Sequence, residues 1–325
     1  MSSIAVLGAG GFGTALAVVS RLAGHDVTLM VRRPEVLENL AASRQNATYL
    51  PGVQLPDGLR LALFSEPPQG ADVVVMAVPS IGLRDALSAS WLLEARLVVA
   101  TKGLEHGSGL RPSEVATAVG LRPPAVMSGP MHAEELARGL PTAAVVAGTD
   151  AAYVQNVLSC GNLRLYVQDD VTGVELGGAT KNVMALAAGM VDGLKLGDNA
   201  KAALVARGLF EMVQLATALG ARPDTLSGLS GLGDLNATCY GRLSRNRWAG
   251  EELGRGRALE DILRGTPMVV EGVPTTRELL RIADRVGIEL PLVTAVAQVL
   301  FAGRPAEEAW RDLFYRRLRS EFQDA

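Results

Sequence analysis

The chain has 325 residues, of which 48% are hydrophobic and 20% are charged, which is the composition of a globular protein long enough for two domains. The formal net charge of −3 provides no overall basic field, so the composition argues against nucleic-acid binding and against recruitment to an anionic membrane. No stretch approaches the roughly 18 uninterrupted apolar residues of a membrane span, and we expect no transmembrane segment.

The few cysteines and histidines limit the redox and metal chemistry to be expected. Cys160 and Cys239 lie far apart and show no metal-ligand spacing, so we expect free thiols in a reducing compartment. With only His25, His106 and His132, a histidine-based metal centre is not expected. Because the first residues already read as a core strand, we also expect no signal peptide. These features predict a cytoplasmic protein without a metal.

The first predicted element is an apolar strand at residues 4–7, which leads through a glycine turn into a helix. Gly8, Gly10 and Gly13 have the G-x-G-x-x-G spacing. The first glycine permits a tight turn, the second lets the backbone approach a pyrophosphate, and the third lets helix and strand pack closely. The N-terminus of the following helix offers free N–H groups to phosphates. This context predicts dinucleotide binding, the alternative being a purely structural turn.

The second predicted strand, residues 25–31, bears on the choice of dinucleotide. Sites that prefer NAD usually place an acid after this strand to bind the ribose hydroxyls. Here Arg32 and Arg33 follow instead, and guanidinium groups suit a 2′-phosphate. We therefore expect NADP(H) to be used well beside NAD(H). Alternatively, one arginine stacks on the adenine and the other is solvated.

Further short, valine-rich strands follow in alternation with helices. They are predicted at residues 72–78, 97–100 and 125–127, and two more at 143–147 and 163–167 extend the series. Continuous apolar runs of this length are typical of parallel strands that are covered on both faces. The alternation predicts the α/β class, with a doubly wound sheet of the Rossmann type.

Past about residue 175 the pattern changes from valine-rich runs to Ala, Leu and Arg at helical spacing, as at residues 199–219 and 275–286. We therefore predict two domains, a dinucleotide-binding Rossmann domain at 1–180 and an all-helical, substrate-binding domain at 181–325. The boundary is expected to lie within a long helix.

Ligands of open α/β sheets bind beyond the carboxyl ends of the strands. Ser80, Lys102 and Gly129 each lie just beyond a predicted strand. A nicotinamide that extends from the glycine turn would meet this row of residues. The alternative for each position is an ordinary polar loop.

Reduction of a ketone requires a cation or acid near the carbonyl oxygen, and with histidine scarce, lysine is the natural candidate. Lys181 lies among small residues, after Gly177 and Gly178 and before Asn182. Paired glycines one turn earlier indicate close approach by another group. The alternative is a lysine on a helix surface.

Three later segments offer partners for such a lysine and its substrate. Asp234 ends a glycine-rich loop and either pairs with Lys181 or caps a helix. Ser244, Arg245 and Asn246 place a hydroxyl, a guanidinium and an amide in succession, which suits an anion, although a surface helix would look similar. Glu271 either accepts from a ribose or an amide, or caps a helix.

With these segments in place, the chain resembles glycerol-3-phosphate dehydrogenase of the bacterial NAD(P)-dependent type over essentially its full length. The dinucleotide turn is generic, whereas the order and spacing of the other motifs are highly specific. The resemblance rests on residues 8–17, 100–105, 128–130, 139–142, 176–183, 231–234, 244–247 and 270–272.

The resemblance implies a Rossmann domain followed by a helical domain, and reversible hydride transfer between NAD(P)H and dihydroxyacetone phosphate to give sn-glycerol 3-phosphate. It implies Lys181 as proton donor, assisted by Lys102 and oriented by Asp234. Substrate contacts are implied for Lys102, Gly129, Met131, Lys181, Asp234, Ser244, Arg245 and Asn246. Cofactor contacts are implied for Gly8, Gly10, Gly11, Phe12, Gly13, Arg32, Arg33, Tyr49, Lys102, Ala133, Arg245, Val269 and Glu271.

The chain departs from the family pattern at Met131, where Ser or Thr is common, so only a backbone contact to substrate is available there. The resemblance also implies a homodimer and a part in glycerophospholipid biosynthesis. Two alternatives stay open, a β-hydroxyacid dehydrogenase of the 3-hydroxyisobutyrate type and a non-catalytic NADP-responsive regulator. The lysines and the Arg245 segment speak against both.

Overall fold

A single eight-stranded sheet forms the N-terminal half of the protein, in a computed structural model that describes residues 1–66, 68 and 70–315. The strands are ordered β3-β2-β1-β4-β5-β6-β7-β8, and all neighbours are parallel except the antiparallel pair β6 and β7. The strands are β1 (Ser3–Leu7), β2 (Asp26–Val31), β3 (Arg60–Leu63), β4 (Val73–Met76), β5 (Leu97–Val99), β6 (Ala125–Ser128), β7 (Thr142–Gly148) and β8 (Leu163–Gln168).

Alternate residues of the central strands enter two separate hydrophobic clusters. In β1, Ile4 and Val6 pack into one cluster, and Ala5 and Leu7 pack into the other. Because each face of the sheet is covered in this way, the central strands are apolar at most positions on both faces, which explains the continuous valine-rich runs. The change of sequence order between β2-β1 and β4 opens a crevice at their carboxyl ends, where ligands of such sheets bind.

Within the described residues, fifteen α-helices cover the sheet and form the C-terminal half. They are α1 (Gly11–Leu22), α2 (Pro34–Ser43), α3 (Leu83–Leu87), α4 (Pro112–Ala118), α5 (Ala133–Ala137), α6 (Ala151–Leu158), α7 (Val171–Gly193), α8 (Asp198–Ala218), α9 (Pro223–Ser227), α10 (Asp234–Tyr240), α11 (Arg245–Gly254), α12 (Leu259–Arg264), α13 (Gly272–Val286), α14 (Pro291–Ala302) and α15 (Ala306–Phe314). Short 3-10 turns at Ser80–Gly82 and Ser90–Glu94 and a π-helical turn at Leu229–Gly233 complete the described elements.

The long helix α7 is the central element of the helical half. Its residues from Gly173 to Val191 are buried without interruption, and α8, α10, α11, α13 and α14 all contact it. Its contact with α11 is made by small residues, because a Cβ at Gly189 would overlap the carbonyl oxygen of Arg247, and one at Gly250 would overlap that of Leu186. The two backbones therefore cross in direct contact.

The predicted α/β class, with a Rossmann-type sheet followed by helices, is confirmed. Strand β3 was not predicted, since its four residues include an exposed arginine and give little periodicity. The proposed division between residues 180 and 181 falls in the middle of α7 and stays a prediction. None of the described helices is long and apolar enough to cross a membrane.

Candidate active site

The glycine turn after β1 has the geometry expected for a bound pyrophosphate. Gly8 has φ +114°, and a Cβ there would lie 2.5 Å from the carbonyl oxygen of Ala77. A Cβ at Gly13 would overlap the carbonyl oxygen of Gly8, so this glycine lets α1 approach the turn. A Cβ at Gly10 would meet nothing within 4 Å, which leaves open space on the ligand side. These residues fit a dinucleotide phosphate at the N-terminus of α1.

A second segment, which sequence reasoning did not single out, supports this turn. The side-chain amide of Asn46 donates to the carbonyl oxygen of Ala9 at 2.9 Å and to Thr14 Oγ1 at 2.8 Å, and its Oδ1 accepts from the backbone N–H of Tyr49. Tyr49 thereby lies next to Gly11, where a Cβ would come 2.7 Å from its carbonyl oxygen. No spacing rule marks a lone asparagine in a loop.

The arginine pair lies at the end of β2 with both side chains exposed. Arg33 precedes α2, and its Nε lies 3.5 Å from Glu35 Oε1. Arg32 and Arg33 thus lie beside the turn after β2, where a 2′-phosphate on the adenine ribose would be recognised. Phe12 and Ala133, the other predicted contacts near this turn, are partly buried against the core of the sheet.

Two lysines from opposite halves of the chain meet at one carboxylate. Lys102 Nζ lies 2.7 Å from Asp234 Oδ2, and Lys181 Nζ lies 2.9 Å from Asp234 Oδ1. Lys102 follows β5 at the carboxyl edge of the sheet, Lys181 is in the middle of α7, and Asp234 begins α10. Lys181 is buried, unlike a lysine on a helix surface, and Asp234 pairs with it. The predicted catalytic residues therefore lie together between the two halves.

Each ammonium group keeps one N–H beyond those used by the described residues. Besides Asp234, Lys102 Nζ donates to the carbonyl oxygen of Gly129 at 2.6 Å, and Lys181 Nζ donates to Thr238 Oγ1 at 2.7 Å. An ammonium group has three donors, so one donor of each lysine remains for a substrate oxygen. Thr238 lies one helical turn after Asp234, and that i, i+4 spacing is the signal that would have identified it.

The surroundings of Lys102 and Asp234 lower the pKa of both groups, for different reasons. Burial lowers the pKa of Lys102 to about 8, against the attraction of Asp234 and with the repulsion of Lys181. Burial alone would raise the pKa of Asp234, but the two ammonium groups outweigh it, and this pKa lies below its usual value. Asp234 is thus an anion, and Lys102 can be charged or neutral near physiological pH.

The paired glycines before Lys181 are explained by contacts within the protein. A Cβ at Gly177 would lie 2.5 Å from the carbonyl oxygen of Ser230, and one at Gly178 would lie 2.5 Å from Ser128 Oγ. The close approach that these glycines indicated is therefore made by the loop before α10 and by the end of β6. It lets α7 carry Lys181 to the edge of the sheet.

The predicted anion-binding segment begins α11. Arg245 is exposed at the helix N-terminus, whereas Ser244 Oγ caps the helix by accepting from the backbone N–H of Arg247 at 3.2 Å. Asn246 is buried, donates to Asn182 Oδ1 at 2.9 Å and accepts from the backbone N–H of Gly272 at 2.9 Å. The exposed guanidinium and the helix N-terminus form the side of this segment that an anion can reach.

Asn182 connects this segment with the lysine centre. Its side-chain amide donates to the carbonyl oxygen of Lys102 at 3.0 Å while its oxygen accepts from Asn246. A chain of hydrogen bonds therefore runs from the end of β5 through α7 to α11. This series of hydrogen bonds fixes the distance between the lysines and the start of α11.

The remaining predicted contacts lie around this centre. Gly129 has φ +141°, and its carbonyl oxygen is directed at Lys102. Met131 is buried in the core of the sheet, so its side chain is committed to packing. Glu271 immediately precedes α13 and accepts hydrogen bonds from Ser80, while Val269 is partly exposed. The structure brings Lys102, Lys181 and Asp234 together, and places Ser80 against Glu271. The individual roles of the predicted cofactor and substrate contacts stay predictions.

A dinucleotide turn on a Rossmann sheet, together with a lysine–carboxylate centre between that sheet and the helical domain, defines a two-domain NAD(P)-dependent dehydrogenase. The family models described as NAD-dependent glycerol-3-phosphate dehydrogenase N-terminus and C-terminus match residues 3–154 and 170–311. The chain belongs to the family of NAD-dependent glycerol-3-phosphate dehydrogenases.

Individual relatives agree with this membership. The glycerol-3-phosphate dehydrogenase [NAD(P)+] of Chlorobium phaeobacteroides is 44% identical over 98% of both chains, and that of Moorella thermoacetica is 47% identical over 97% of this chain and 96% of its own. The crystal structure of the Coxiella burnetii glycerol-3-phosphate dehydrogenase superimposes with a TM-score of 0.91 at 36% identity, covering 97% of this chain and 99% of that one. These matches favour the family resemblance over the β-hydroxyacid dehydrogenase and regulator alternatives.

Proposed function

We propose that the crevice between the sheet and the helical domain interconverts dihydroxyacetone phosphate and sn-glycerol 3-phosphate with NAD(P)(H). The enzyme is an NAD(P)-dependent oxidoreductase that acts on a CH–OH group, in agreement with its family. The observation that carries the proposal is the centre formed by Lys102, Asp234 and Lys181, which presents two spare N–H donors at the carboxyl edge of a dinucleotide-binding sheet.

The two lysines act on the carbonyl oxygen of the ketone. When bound, the reduced nicotinamide supplies a hydride to the carbonyl carbon. Lys102 and Lys181 donate to the oxygen and stabilise the negative charge that develops on it. Lys181 then transfers a proton from Nζ to that oxygen, which completes the alcohol. Asp234 and Thr238 hold Lys181 in place by accepting hydrogen bonds from its Nζ. The negative charge of Asp234 also favours reprotonation of Lys181 by solvent after the proton transfer.

The phosphate group of the substrate is placed at the start of α11. Arg245 has an exposed guanidinium there, and Ser244 and Asn246 fix the helix N-terminus that offers its N–H groups to the same anion. The hydrogen bonds through Asn182 set the separation between this segment and the lysines. This arrangement supports a substrate that carries both a ketone and a phosphate group.

We further propose the setting in which the reaction takes place. Arg32 and Arg33 support binding of NADP(H) beside NAD(H), and the product is a backbone for glycerophospholipid synthesis. The low cysteine content supports a cytoplasmic location. A homodimer is proposed from the family resemblance alone.

The first test is oxidation of NADPH and of NADH with dihydroxyacetone phosphate as acceptor. Substitution of Lys181→Ala removes the proposed proton donor, and we expect turnover to fall at least ~100-fold while NADPH still binds. The exposed lysine that follows the same helix provides a matched control, Lys195→Ala, which should keep normal turnover. Near-normal turnover of Lys181→Ala would reject the assigned role.

A further inference from the structure

We propose that Ser80 is a positioning residue of the cofactor crevice, because it holds the carboxylate of Glu271 against the carboxyl edge of the sheet. Its backbone N–H donates to Glu271 Oε1 at 2.9 Å, and its hydroxyl donates to Glu271 Oε2 at 2.5 Å. Ser80 follows β4, and Glu271 immediately precedes α13. Both oxygens of one carboxylate are thus bound by one residue from the other half of the chain.

A third segment encloses this Ser80–Glu271 pair. A Cβ on Gly103 would lie 2.8 Å from Glu271 Oε2 and 3.0 Å from Ser80 Cβ, so the chain after β5 packs directly against the pair. Ser80 itself is buried. Since Lys102 precedes Gly103, the pair lies one residue away from the lysine centre. The pair is therefore part of the wall of the crevice and not a surface contact.

The chemistry of the pair explains why two donors are needed. Burial raises the pKa of Glu271, whereas the two hydrogen bonds from Ser80 and the charge of Arg245 oppose that rise. Without the hydroxyl, the carboxylate loses a donor and is free to take up a proton or to turn away. The two hydrogen bonds from Ser80 therefore favour the ionised form of Glu271 and fix the orientation of its carboxylate beside the ends of β4 and β5.

That half of the crevice is distinct from the one beside the arginine pair. The arginines follow β2, on one side of β1, whereas Ser80 and Gly103 follow β4 and β5 on the other side. A dinucleotide crosses the sheet at this reversal of strand order, with its two nucleotides on opposite sides. Glu271 thus meets the nicotinamide half of the cofactor, and Ser80 fixes where its acceptor oxygens lie.

The later turns of α13 are held by contacts that do not involve Ser80, so a substitution at Ser80 should affect only the start of this helix. Two turns beyond Glu271, the fully buried Glu278 accepts from the backbone N–H of Gly107 at 2.9 Å, and His106 Nδ1 lies 3.1 Å from it. Removal of the Ser80 hydroxyl should therefore loosen the first turn of α13 without releasing the helix.

The inference rests on the proposed function in one respect, that this crevice takes NAD(P)H. The test is the dissociation constant of NADPH, measured by nicotinamide fluorescence, for Ser80→Ala, Glu271→Ala and the double variant. We expect Ser80→Ala to weaken binding about 10-fold, since a hydrogen bond to a charged group is lost. Glu271→Ala should weaken binding at least as much, and the double variant should be no weaker than Glu271→Ala. The exposed Ser88→Ala serves as the matched control and should bind NADPH normally.

Hydrogen exchange gives a second, ligand-free measurement. In Ser80→Ala the amides of Gly272 and Val273 should exchange faster, while amides beyond Glu278 keep their wild-type rates. Unchanged NADPH binding by Ser80→Ala, independent losses in the double variant, or unchanged exchange at α13 would overturn the inference. If the variants show the expected coupling in NADPH binding but the wild-type protein does not reduce dihydroxyacetone phosphate, only the proposed function would be overturned.

Discussion

Lys102 is a lysine whose pKa is lowered to about 8, close to physiological pH. It is placed between the attraction of Asp234 and the repulsion of Lys181 in a setting with little water. A lysine with ordinary hydration would remain charged throughout the neutral and mildly alkaline range. Burial at the end of β5 therefore makes the charge of Lys102, at the proposed substrate site, dependent on pH.

The pH dependence of substrate reduction follows from this. Because burial lowers the pKa of Lys102 to about 8, its ammonium form prevails below that pH and is lost above it. If the charged form polarises the carbonyl, kcat/KM for dihydroxyacetone phosphate should fall about 10-fold between about pH 7 and pH 9. Lys102→Met should be slow throughout and lack this step. A wild-type profile that is flat over the same interval would contradict the assignment.

The two arginines after β2 provide a test of cofactor choice. Substitution of Arg32→Ala together with Arg33→Ala removes both guanidinium groups that suit a 2′-phosphate. We expect the KM for NADPH to rise about 10-fold or more, with a much smaller change for NADH. Steady-state kinetics with each cofactor measure this. Equal losses for the two cofactors would mean that the arginines serve the shared part of the dinucleotide.

Among the elements, the crossing of α7 and α11 most directly connects stability with the site. The helices touch backbone to backbone through glycines, including Gly189 and Gly250. α7 carries Lys181 and α11 begins with Arg245. The spacing of these helices therefore sets the distance between the proposed proton donor, Lys181, and the proposed phosphate-binding segment.

A single added methyl group should disturb this crossing. Gly189→Ala places a Cβ against the carbonyl oxygen of Arg247, and we expect a loss of about 1–3 kcal/mol in the free energy of unfolding. The KM for dihydroxyacetone phosphate should rise as well, because the start of α11 is pushed away. Urea unfolding and steady-state kinetics measure the two effects. Gly82→Ala, where a Cβ meets nothing within 4 Å, should change stability by less than about 0.5 kcal/mol, and equal effects at both positions would refute the packing argument.

For the whole molecule, local sequence patterns predict most strands of the sheet but not its complete topology, and not all of the site. The strands and the glycine turn follow from apolar runs and glycine spacing, which act within a few residues. The antiparallel direction of β7 and the short β3 carry no such local signal. Likewise, Lys102 and Asp234 are 132 residues apart, so only the folded chain brings this ion pair together. The position of Lys102 after a strand and of Asp234 after a glycine-rich loop singled out both residues, but the contact between them had to be observed.

The burial of α7 also determines where the polypeptide can be divided or extended without loss of folding. A gene divided between residues 180 and 181 would split a 23-residue helix that is buried along most of its length, and each fragment would expose apolar surface and aggregate. The turn just after α7 is different, because Lys195 and Gly197 adopt left-handed backbone conformations at exposed positions. Split reporters, circular permutants and inserted tags belong at that turn, where both ends of the break remain in water.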